Sequence, residues 1–115
     1  MKPLRLGNLN FGPAVLNSDL PFLVAFGGSW ERSSRNMFAL LNGVGKKYDK
    51  KIKVGYVDYD YAPDVFDGYA IKVLPTLIFF EDGKPIIRHE GYQGTETAMD
   101  FVKRFYGVLP EFHMF

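Results

Sequence analysis

Residues 57–76, VDYDYAPDVFDGYAIKVLPT, decide the fold. The stretch opens at the end of KVGYVD, residues 53–58, a short apolar run that reads as a buried strand. Ala62-Pro63 then precedes residues 64–70, the pattern of a short helix, with Asp64 placed to cap it. Leu74-Pro75-Thr76 leads into TLIFFE, residues 76–81, a further buried strand.

Downstream, EDGK contains Asp82-Gly83, a pair that supplies the positive φ angles of a tight hairpin turn. Its partner strand is PIIRHE, residues 85–90, and Pro85 confines part of that strand to a sheet edge. Thr95 is placed to cap a last helix, whose inner stripe is Ala98, Phe101, Val102 and Phe105. Upstream, PFLVAF at residues 21–26 is another buried strand, and residues 9–17 suit a short additional helix. Between them and the opening stretch lies a helix of about four turns, with Ser33 and Ser34 as cap types. Met37, Leu40, Leu41, Val44 and Tyr48 give it one apolar face. The order β-α-β-α-β-β-α implies parallel pairing early and antiparallel pairing late, in a mixed sheet with helices on both faces.

A chain of 115 residues, 47% hydrophobic and 17% aromatic, has enough apolar surface for one domain with an aromatic-rich core, which excludes a disordered chain. A formal net charge of +1 points to neither nucleic acid nor membrane. The sequence has no run of eighteen apolar residues and its first residues lack a signal-peptide pattern, so the expected location is cytoplasmic. The absence of cysteine removes disulfides, thiolate metal sites and thiol catalysis. Asp58, Asp60, Asp64 and Asp67 fail the spacing of a calcium loop, and the two histidines lack metal-ligand spacing, so no metal or other cofactor is expected.

In this order, these residues resemble the thioredoxin family over roughly residues 8–106. Trp30-Glu31-Arg32-Ser33-Ser34 aligns with the family's Trp-Cys-x-x-Cys motif. Residues 57–76 match its segment ending in Pro-Thr, and LIFFEDGK with Gly91 matches its later strand, turn and glycine loop. The resemblance implies an α/β, three-layer fold with a mixed sheet of four to five strands, and a cis peptide bond before Pro75. It makes residues 1–115 a single domain, with 107–115 as an apolar tail.

The departures cluster at one place. Glu31 stands at the nucleophilic Cys position, Ser34 at the resolving Cys position, and Ala25 where the family keeps a buried Asp. The resemblance therefore implies a redox-inactive relative. Glu31 suits a helix N-terminus, with Arg35 four residues on as an ion-pair partner, or it recognises a group on a partner. Ser34 has no evident base to make it a nucleophile.

By resemblance, Trp30, Leu74, Pro75, Gly91 and Tyr92 form a rim around Glu31 on which an extended segment of a partner protein lies, its backbone paired beside Pro75. This gives an adaptor or chaperone-like binding module without enzymatic activity. Two alternatives stay open: an oligomeric subunit using Leu109, Phe112, Met114 and Phe115 of the tail, and a non-thiol enzyme using Glu31 as acid or base. The lysines at 46, 47, 50, 51 and 53 suit a solvated helix C-terminus or an acidic partner.

Overall fold

Five strands form one mixed sheet, in the order β1-β3-β2-β4-β5, in the computed structural model, which describes residues 1–107. β1 spans Leu4–Leu6, β2 Phe22–Gly27, β3 Lys53–Asp58, β4 Thr76–Glu81 and β5 Lys84–Glu90. The helices are α1 (Arg32–Lys47), α2 (Pro63–Gly68) and α3 (Thr95–Gly107), with a π-helical turn at Gly12–Leu16. β3 pairs in parallel with both β1 and β2, because α1 carries the chain across the sheet between β2 and β3. β4 runs antiparallel to β2, and β5 antiparallel to β4 through the Asp82-Gly83 turn, whose φ angles are 52° and 76°.

Every residue of β2 is buried, since helices cover both faces of the sheet. Alternation along the strand feeds two cores. Leu23 and Ala25 join Met37, Leu41 and Val44 of α1 and Ala98, Phe101, Val102 and Phe105 of α3. Phe22, Val24 and Phe26 join Phe11, Phe66 and Phe80 on the other face. The first core is pinned by Phe79 stacked on Phe105, with ring centroids 4.1 Å apart. In the second, Phe11 lies 5.7 Å from Phe80 and 5.6 Å from Tyr69.

The structure corrects several local expectations. β1 has no counterpart in the sequence reading, since Leu4–Leu6 is too short to show a period. Gly55 faces Leu4 in the register, and a Cβ there would come within 2.7 Å of the Leu6 side chain, so the glycine is what admits β1. The helix expected over residues 9–17 contracts to Gly12–Leu16. Asp64 is not a cap: Pro63 takes the first helical position of α2, where its missing N–H costs nothing, and Ala62 takes the cap position. Thr95 is the first residue of α3 rather than the residue before it. β5 begins one residue early, at Lys84, and an irregularity opposite Phe79/Phe80 leaves Ile86 unpaired on this edge strand. Leu109, Phe112, Met114 and Phe115 lie outside the described residues. Among the described residues no helix is long and apolar enough to cross a membrane.

Candidate functional site

The carboxyl ends of β2 and β3 are adjacent because the two strands are parallel, with Gly27 opposite Asp58. The chain leaving β3 stays close: the Tyr59 amide donates to the Gly27 carbonyl at 2.9 Å. β4 starts at this same rim, because its antiparallel register sets Thr76 beside Phe26. The far end of β5 closes the rim, where the Gly91 amide, at φ 85°, donates to the Pro75 carbonyl at 2.7 Å. Four separate segments thus meet around the start of α1.

Glu31 occupies the N-cap of α1 in extended conformation, but its side chain caps no backbone N–H. Its carboxylate instead accepts a 2.6 Å hydrogen bond from the Ser34 hydroxyl. Ser34 is fully buried, so neither Ser33 nor Ser34 caps the helix as the sequence suggests. The reason is space. A Cβ on Gly27 would lie 2.6 Å from Ser34 Oγ, so the bare glycine backbone accommodates the hydroxyl and leaves it to face Glu31. The expected Glu31–Arg35 ion pair does not form either. The Arg35 guanidinium reaches back to donate to the Ser29 carbonyl at 2.9 Å, tying the turn to the helix. At the N-cap, Glu31 still sets an acidic side chain at the positive end of the α1 dipole.

Ala25 is fully buried in the core under α1, in register with Tyr56, so a methyl group fills the strand position considered for a proton acceptor. His89 packs its ring against Phe101 of α3, with centroids 5.2 Å apart, and its buried Nε2 has no hydrogen-bond partner. Asp58 is buried and accepts from the Asp60 amide at 3.2 Å, closing the turn after β3. Among the described residues, no three His, Asp or Glu side chains are grouped so as to hold a metal ion.

Trp30 is 57% exposed and meets Tyr59 edge-on, at 6.2 Å between centroids. Tyr59 in turn meets Phe66 edge-on at 5.2 Å. These rings, with Ile71, Lys72 and Leu74, line a groove of about 270 Å³. The Leu74-Pro75 bond beside it is cis. Of the residues singled out in the sequence, Trp30 and Leu74 therefore share one groove, and Pro75 and Gly91 are joined by a hydrogen bond. Tyr92 packs onto the α1/α3 core, and its hydroxyl lies 2.9 Å from Thr95 Oγ1. The sequence reading missed Tyr59, Phe66, Ile71 and Lys72. The signal available was the pair of tyrosines flanking Asp60 just past a buried strand, where exposed aromatics have no core to fill.

The sheet order, the cis bond before Pro75 and the turn at Trp30 define a thioredoxin-like domain whose two thiol positions hold Glu31 and Ser34. The thioredoxin family model matches residues 2–104, and the chain belongs to the thioredoxin family. It is 34% identical to thioredoxin Y1, chloroplastic, of Arabidopsis thaliana over 83% of this chain, but that match spans only 54% of the plant protein. It is 36% identical to a thioredoxin-like protein of Synechocystis, over 73% of this chain and 80% of that one. It is 27% identical to a thioredoxin of Rickettsia felis, over 83% of this chain and 90% of the relative. The present sequence has no cysteine, and so no thiol with which to exchange a disulfide.

Proposed function

We propose that this thioredoxin-family domain is a redox-inactive binding module that holds an extended segment of a partner protein across Trp30, Leu74-Pro75 and Gly91-Tyr92. One observation carries the reading: among the described residues, neither the N–H nor the C=O of Leu74 has a backbone hydrogen-bond partner. Leu74 is half-buried beside the Trp30 groove, so an arriving chain would find a free donor, a free acceptor and an apolar slot for one of its side chains. Main-chain pairing of this kind supplies affinity with little demand on sequence, which suits an adaptor or chaperone-like role. Glu31 serves the turn in this reading, with its carboxylate engaged by Ser34.

The test is titration of unstructured apolar peptides into the protein, read by calorimetry, alongside an insulin-reduction assay with dithiothreitol. Insulin reduction is expected at background. Peptide affinity is expected to fall about tenfold or more in Trp30→Ala, roughly the 1.4 kcal/mol of one contact at the centre of a small interface. Peptide binding that survives both Trp30→Ala and Tyr92→Ala unchanged would falsify the rim as the binding face.

A further inference from the structure

A second concavity, about 1030 Å³ in volume, runs between α1 and the β1 end of the sheet. Tyr56 of β3 lines it, its ring 4.9 Å from that of Phe38 on α1. Lys2 and Arg5 line the strand side and Lys46 the helix side, and all three are exposed. Among the described residues, no carboxylate lies within ion-pair distance of Lys2, Arg5 or Lys46. Asp58, at the end toward Ser29, is buried and bonded to the Asp60 amide, and Asp49 pairs with the Met1 amino group at 2.9 Å. The trench therefore carries three exposed cations, none of them ion-paired among the described residues, against one buried carboxylate, Asp58.

We infer that this trench holds an acidic, extended peptide segment of a partner. The charge is complementary to carboxylates, and the shape suits a chain. From Phe38 to Lys46, α1 flanks the trench for about 12 Å, the length of three to four extended residues. The Arg5 guanidinium carbon lies 3.8 Å from the Tyr61 ring centroid, a cation–π contact that does not consume its N–H donors for a carboxylate. Tyr56 and Phe38 offer an apolar surface to the alternate side chains. The occupant lies in the trench rather than adding to β1, because Asn10 Nδ2 already donates to the Arg5 carbonyl at 3.0 Å on that edge. Nucleic acid fits less well, since phosphate backbones are held by broad basic faces making many contacts.

The inference is independent of the Trp30 rim, and the experiment separates the two. The probe is a fluorescein-labelled octapeptide alternating Glu with Phe and Leu, compared with its Gln isostere and with an RNA octamer, by anisotropy. The acidic peptide is expected to bind with Kd on the order of 10 µM at about 50 mM salt, and several-fold more weakly at about 300 mM. Arg5→Glu with Lys46→Glu is expected to weaken it at least tenfold, and the neutralising Arg5→Gln with Lys46→Gln several-fold, with circular dichroism confirming the fold. Lys84→Glu on β5 is expected to leave it within twofold. Equal binding of the Gln isostere, indifference to both double variants, or tighter binding of the RNA overturns the inference. Loss of binding in Trp30→Ala alone assigns the peptide to the rim and also overturns it.

Discussion

The Ser34 hydroxyl and the Glu31 carboxylate are joined by a 2.6 Å hydrogen bond across the first turn of α1, one group fully buried and the other half-exposed. A hydrogen bond to a charged group contributes roughly 1.5–3 kcal/mol when shielded, and less where one partner still meets water. Ser34→Ala is therefore expected to lower unfolding stability by about 1–2 kcal/mol in urea titration. Glu31→Gln, which keeps an acceptor oxygen, is expected to cost less. The double-mutant cycle for Ser34→Ala and Glu31→Ala is expected to show coupling of about 1 kcal/mol. Strict additivity would mean that the pair contributes nothing to the turn.

Gly27 is the second support of this turn. A methyl group there would lie 2.6 Å from Ser34 Oγ, 2.7 Å from Ser34 Cβ and 3.1 Å from Phe38 Cζ. Gly27→Ala must push the start of α1 away from β2, an overpacking expected to cost about 1–3 kcal/mol. Adding Ser34→Gly removes the atoms that clash and should recover part of the loss, although glycine near the helix start costs up to about 1 kcal/mol itself. A Gly27→Ala protein as stable as wild type would show that the contact relaxes freely.

Much of this architecture is legible in the sequence, for identifiable reasons. β2, β3 and β4 are largely apolar runs bounded by turns, the composition that burial on two faces favours. The faces of α1 and α3 follow from helical spacing, and all nine side chains named from that spacing are buried. The hairpin turn is written in Asp82-Gly83. β1 is not legible, because a three-residue strand carries no period and depends on the absence of a side chain at Gly55. The site divides the same way. Trp30 and Pro75 stand out by motif order, whereas Ser34 and Glu31 both look like helix-start residues, and only the room left by Gly27 decides that they bond to each other. The Trp30 groove takes Phe66, Ile71 and Lys72 from a segment whose pattern reads only as a short helix and its exit.

Trp30 is the sequence's sole tryptophan, so fluorescence reports on the rim directly. With 57% of its surface exposed, it is expected to emit at long wavelength and to be quenched readily by acrylamide. Tyr59→Ala removes the ring it meets edge-on and should increase both effects without unfolding the protein. An apolar peptide seated in the groove beside Leu74 is expected to shift the emission to the blue and reduce quenching. An acidic peptide in the α1/β1 trench should leave the spectrum nearly unchanged. Blue emission from the free protein would place the indole in the core and contradict the exposed position.

Alkaline pH tests the aromatic cores. Tyr48, buried at the end of α1 with its ring 4.6 Å from that of Tyr106, has its pKa raised above the ordinary 10.0 by burial, with Lys103 opposing and Tyr106 adding to the shift. Tyr69, packed between Phe11 and Phe80, is likewise raised by burial. In the unfolded chain both phenols lose their protons near pH 10, while in the folded protein they hold them to higher pH. The unfolded state then binds fewer protons, so stability falls as pH rises, starting near the unfolded pKa and continuing through the folded values. Below about pH 9 the contribution is complete and flat. The urea midpoint is therefore expected to stay level up to about pH 9 on account of these groups and to decline above about pH 10. Replacing both residues with Phe removes the ionisable oxygens while keeping the rings, and should make the decline shallower. If the double variant lost stability as steeply as wild type over that window, the burial of these two phenols would not be what couples the fold to alkaline pH.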